Sequence, residues 1–293
     1  MSWFDAGWHW YLANAAAINP IGTFVGAGGA FATAVTLAWA GLQNARTAAR
    51  RHEEETKAQR QRRITESFSK ATEQLASEKI EARLGGIYTL ERISRESPDD
   101  YWIVMETLTA FVREHARWKE RDKIVSRISA SLYDDEESKG SLQPEPATDI
   151  AAVLTVIGRR RDENLDREIL NCWRLDFRAS DLRGAALGGA HLERAHLWEA
   201  HLEGAYLLEA HLEGAGLREA HLEGARLTEA HLEGANFGGA HLEGARLRGA
   251  HLEGADLGTA EGLTLDQFTD AAGDNQTILP QKLTRPQHWT QVS

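Results

Sequence analysis

At 293 residues the chain has room for two or three folded units. A net charge of −11 argues against general nucleic-acid binding by its body. One cysteine, Cys172, excludes an internal disulfide and points to a reducing compartment.

Residues 1–45 read as a membrane anchor. From Ala6 to Ala45 there is no Asp, Glu, Lys or Arg. Ile21 to Leu42 would make a helix of about 33 Å, enough to cross a bilayer. Trp3, Trp8, Trp10 and Tyr11 lie before it and Trp39 near its end, as interfacial aromatics do. Residues 43–63 then carry seven basic against three acidic side chains. By the positive-inside rule this leaves the carboxy-terminal body in the cytoplasm of a single-pass cell-membrane protein. A helix lying in the interface or buried against a partner is the alternative. A cleaved signal peptide does not fit, because the charge before the apolar run is Asp5 and the basic residues follow it.

Residues 46–133 read as a basic juxtamembrane helix leading into an α-helical domain. Ile64, Phe68, Ala71 and Leu75 mark one amphipathic face, and Ile87, Leu90 and Ile93 a second. Ser97 as N-cap and Pro98 at the first helical position open a further helix with Met105, Leu108, Phe111, Val112 and His115 at core spacing. His115 is expected to pack rather than to ligate. Residues 134–148, "DDEESKGSLQPEPAT", read as an acidic flexible linker. Residues 149–172 read as a helix capping the next segment, with Ile150, Val153, Leu154 and Ile157 on one face and Cys172 as a small buried residue at its end.

From Phe177 to Leu257 a Leu or Phe recurs at every fifth position, seventeen times without a slip. Two places before almost every one stands Ala, with Ser180 the one polar stand-in. A period of five fits neither a helix nor a strand. It fits a square coil with one large and one small side chain inward per side, twenty residues per turn, stacked at about 4.8 Å. Seventeen repeats give just over four coils, residues 173–261. Gly204, Gly214, Gly224, Gly234, Gly244 and Gly254 fall at the corners, where a sharp turn favours glycine. In residues 262–293, Thr264 and Gln267 form a capping box ahead of a short helix with Leu265 and Phe268, a lid for the far end.

The pattern A-x-L-x-x, as in "AHLEGARLTEAHLEGANFGGAHLEGA", resembles the pentapeptide-repeat family. That resemblance implies a right-handed quadrilateral parallel β-helix, and with the helical part a fold of the α plus β-solenoid class. Where family members often carry Asn or Asp before the central Leu, this chain mostly carries His, Arg or Tyr. The stretch "RLGGIYTLERISRESPDDYWIVMETLTAFVREHAR" is similar to a helical segment that precedes the repeats in bacterial membrane-anchored members. The tail "TILPQKLTRPQHW" is similar to the ends of family members.

On the rod, His191, His211, His231 and His251 should stack on one face and His201, His221 and His241 on the opposite one, each followed two places later by an outward Glu, from Glu193 to Glu253. One reading of this strip is a metal-binding or pH-responsive surface; the other is duplication of one solvent-tolerant decapeptide, and because no ligand set closes on a cavity, no metal and no cofactor are expected. The other two faces vary. Trp198 and Arg218 on one, with Tyr206, Leu208, Arg226, Arg246 and Arg248 on the other, have the composition interfaces favour and are the candidate contact surface for a protein partner. No phosphate loop, nucleophile elbow, HExxH or paired Cys ligands occur, so no catalytic residue is expected. The reading is a non-catalytic, membrane-tethered interaction scaffold. The alternative, implied by one branch of the family, is a duplex mimic that binds type II topoisomerases, since residues 174–261 hold fifteen acidic and eight basic side chains.

Overall fold

A computed structural model describes residues 24–118, 145–160 and 162–290, which fall into two units, Met1–Arg63 and Ile64–Ser293. Helix α1 (Phe24–Leu75) begins in the first unit and ends in the second. From Asn44 to Arg63 every side chain is exposed, including the basic cluster. Ala, Gln, Arg and Glu, good helix formers, sustain the helix there, with Glu53 and Lys57 paired one turn apart at 2.7 Å. Much of the expected span lies outside the described residues: Ile21 to Thr23 altogether, and the side chains of Phe24 to Val35. Among the described residues no helix is long and apolar enough to cross a membrane. Leu37, Trp39 and Leu42 are exposed.

In the second unit α2 (Ile80–Glu96), α3 (Tyr101–His115) and α4 (Thr148–Gly158) pack on one another, and Ile64, Ala71 and Leu75 join their core. Ile87, Leu90, Ile93, Met105, Leu108, Phe111 and Val112 are buried on the faces their spacing indicates. Gly86 lets α2 approach α1 closely, since a Cβ there would stand 2.7 Å from the Ala71 carbonyl. Three expectations are corrected. The helix after "SPDD" starts at Tyr101, because the Ser97 hydroxyl bonds the Asp100 carboxylate and Ser97–Asp100 form a turn. His115 is exposed, its ring stacked on Phe111. The segment 149–172 is two helices, α4 and α5 (Asp162–Leu170), with Cys172 exposed in a left-handed turn beyond them. Of the expected linker 134–148, the residues through 144 lie outside the described residues.

The repeats form a β-helical solenoid with a coil of twenty residues, as bridges such as His191 with His211 and Tyr206 with Arg226 show. Among the described residues no side makes a continuous strand. Each side pairs through one parallel bridge and then turns, the Leu182 carbonyl accepting from the Ala185 N–H and so on around each coil. The third residue of such a turn needs positive φ, which the corner glycines supply, Gly224 at 66° among them. The interior is Leu or Phe over Ala, every one from Leu182 to Leu257 at most 2% exposed.

Both ends are closed. At the first coil the chain Ala116–Trp118 runs antiparallel to Ala179–Asp181, so the open edge is covered by this stretch rather than by α4 alone. Arg160, just beyond α4, donates to the His191 carbonyl. At the far end, bridges continue past residue 261 to Ala272 and Ile278. The capping box at Thr264 is present but opens a 3-10 turn. The Gln267 side chain donates to the Leu242 and Ala245 carbonyls over a buried Phe268. Leu265 stays exposed, while Trp289 is buried and donates to the Ala271 carbonyl.

Candidate functional site

Central residues twenty apart define four faces of the rod. The first, outside Phe177, Leu197, Leu217 and Phe237, presents Arg178, Trp198 and Arg218. The third, outside Leu187, Leu207, Leu227 and Leu247, presents Tyr206, Leu208, Arg226, Arg246 and Arg248. All seven candidate contact residues are exposed. They do not form one surface, because the two faces are half a coil apart.

On the third face Tyr206, Arg226 and Arg246 stand in bridged register, with the Arg226 guanidinium 4.5 Å over the Tyr206 ring. Leu208 lies in the turn of the same side, two places after Tyr206, and Arg248 pairs with Asp270 at 3.3 Å. This is an apolar-aromatic patch continued by cationic side chains. On the first face the Trp198 indole lies across Gly216, where a Cβ would come within 2.3 Å of its nitrogen. His196 stacks on Trp198 at 5.3 Å, and Arg178 sits 5.9 Å over it. Burial and the nearby Arg174 push the His196 imidazole below its usual range. Burial would raise the Asp176 carboxyl, but Arg178 and Arg113 around it hold it below the usual carboxylate range. Trp198 is thus held against the rod by its neighbours, whereas on the third face Leu208 is exposed beside a Tyr206 ring that carries Arg226 on one side.

The second and fourth faces carry the imidazole ladders. Ring centroids are 4.6, 4.8 and 5.0 Å apart from His191 to His251, and 4.3 and 4.8 Å apart from His201 to His241. The expected stacking is present. The Glu side chains lie outside the coil as expected, but six of the seven fold back on their own histidines, with Glu193 Oε1 2.8 Å from His191 Nδ1 and Glu223 Oε1 3.2 Å from His221 Nδ1, while His241 faces Glu261 at 3.6 Å and leaves Glu243 exposed. Burial would raise the Glu223 carboxyl, but the bond to His221 and the facing imidazoles take it below its usual range. Trp118 roofs the second face at His201, ring on ring at 3.6 Å.

The profile of the family described as pentapeptide repeats matches in eight copies, over residues 176–207, 199–234 and 220–260. A solved pentapeptide repeat protein from the Arabidopsis thaliana thylakoid lumen is 33% identical over 29% of this chain and 68% of its own, with a TM-score of 0.26. The chain belongs to the pentapeptide-repeat family. Two further pentapeptide-repeat structures are similar to it. Rfr23 of the cyanobacterium Cyanothece 51142 is 34% identical over 31% of this chain and 65% of its own, with a TM-score of 0.25. A protein of Nostoc Pcc 7120 is 31% identical over 40% of this chain and 84% of its own, with a TM-score of 0.24. No curated protein matches.

Proposed function

We propose that this pentapeptide-repeat protein is a non-catalytic interaction scaffold, held at a membrane by its amino-terminal segment, with the body in the cytoplasm. The observation that carries the docking half is the third face, where exposed Tyr206 and Leu208 adjoin Arg226, Arg246 and Arg248. Tyr and Arg are the residues on which interface energy concentrates, and an apolar centre beside cations fits a protein partner with an acidic rim. A rod closed at both ends presents such a patch without the cost of ordering a loop. The tethering half rests on the uncharged run before Arg46 and on the exposed Leu37, Trp39 and Leu42.

Affinity capture from membranes, comparing the native chain with a Leu208→Asp/Arg226→Glu variant, tests the docking half. Loss of a specific partner in the variant supports it, and an unchanged set of captured proteins refutes it. For the tether, carbonate extraction should leave the full chain in the membrane pellet; its release to the supernatant would remove that half of the reading.

A further inference from the structure

The two imidazole ladders place nitrogen and oxygen donors closer together than any docking role requires. Five groups among the described residues bring three donor atoms within 4.8 Å of one another. On the fourth face they are His191, Glu193 and His211; His211, Glu213 and His231; and Glu233, His251 and Glu253. On the second face they are His201, Glu203 and His221, then Glu223, His241 and Glu243. A second observation points the same way. The Oε2 atoms of Glu193, Glu203, Glu213, Glu223, Glu233 and Glu253 are all buried without a hydrogen-bond partner. A buried carboxylate oxygen left unpaired is costly, and six in register on two faces form a row of unfilled acceptors.

We propose that the His/Glu ladders are binding sites for borderline divalent cations such as Zn2+, one ion per group except where two groups share His211. Imidazole nitrogen with carboxylate oxygen is the donor set that suits zinc, nickel and cobalt, whereas magnesium and calcium prefer oxygen alone. Each ion takes the orphaned carboxylate oxygen and one or two imidazoles, and water completes the shell on the open side. The stacked rings are within 3–11° of parallel, so their lone pairs lie side by side rather than converging. One imidazole of a group must therefore turn out of the stack to ligate. The corners beside the ladders permit this, since nothing lies within 4 Å of where a Cβ would sit at Gly224 or Gly234. That reorientation places affinity below that of a preformed four-ligand site. His211 serves two groups and can hold one ion at a time, so each face takes two ions and the chain about four.

Isothermal titration of the full chain with zinc chloride, with magnesium chloride as control, tests the assignment. About four zinc ions per chain and no magnesium uptake are expected. His211→Gln removes both groups it shares and should lower the count by one. Adding His221→Gln should lower it by one more, while His196→Gln, on a face without the Glu partner, should leave it unchanged. Melting of each variant in chelator checks folding. A measurement without variants is the rate of histidine acylation by diethyl pyrocarbonate, which bound zinc should slow at least several-fold. Absence of zinc uptake, equal uptake of magnesium, an unchanged count in the double variant, or unprotected histidines would each overturn the proposal.

Discussion

Ser180 occupies the place that alanine holds in the succeeding coils, fully buried with a hydroxyl that finds no partner. Replacing an unsatisfied buried hydroxyl by hydrogen removes a desolvation penalty, so Ser180→Ala should stabilise the protein by about 1 kcal/mol in urea unfolding. The opposite sign is expected at a corner. Gly224 has φ of 66° and open space around a Cβ, so Gly224→Ala suffers backbone strain alone and should cost roughly 1 kcal/mol. The neighbouring class of corner, Glu219 at φ 56°, shows that the coil tolerates this strain when it must. Inward residues such as Leu222 were readable from the repeat because alternation between core and water follows the backbone period. The fold-back of Glu223 onto His221 was not, since it depends on side-chain torsions that no period encodes. The exposure of Cys172 was missed for a related reason: a helix end, not the rod, decides where it sits.

The seam between helices and rod is built from single residues far apart in sequence. Arg160 bonds both oxygens of Glu168, at 2.9 and 2.8 Å, and also the His191 carbonyl, while the Tyr101 hydroxyl donates to Glu168. Burial pushes both the Tyr101 phenol and the Glu168 carboxyl upward, and Arg160 counters it in each case. Removing one partner of a buried pair strands the other charge. Glu168→Gln should therefore cost about 3 kcal/mol, read as a lower midpoint in chemical unfolding, whereas Tyr101→Phe should cost about 1 kcal/mol. A loss under about 1 kcal/mol in the first variant would show that the pair is not holding the seam. The helices themselves were legible from their apolar spacing. The seam was not, because Arg113 and Asp176, paired at 3.2 Å, stand more than sixty positions apart, as do Arg83 and Asp149, which join α2 to α4 at 2.7 Å. Trp289 escaped for the same reason, its tail carrying no periodicity to place it.

At the scale of the molecule the surface charge decides between the scaffold and a mimic of duplex DNA. A mimic must present a long, nearly continuous anionic face in place of phosphates. The rod carries a surplus of seven acidic side chains, but their arrangement does not serve this purpose. Six of the Glu residues are folded against histidines with one carboxylate oxygen buried, so their charge is partly withdrawn from solvent. Arg226, Arg246 and Arg248 make the third face cationic, and Trp198 with Arg218 breaks the first. The acidic corners that remain, Glu199 with Glu219 on the first face and Glu209 with Glu229 on the third, give way to Gly239 and Gly249 in the next coil, so each face holds too few to stand in for a run of duplex phosphates. The protein should therefore give no protection to DNA gyrase. In a supercoiling assay poisoned with a quinolone, at low salt where electrostatic association is strongest, added protein should leave the inhibition unchanged. Dose-dependent rescue at concentrations stoichiometric with gyrase would mean that the buried Glu ladders open to meet the enzyme, and would replace the scaffold with the mimic.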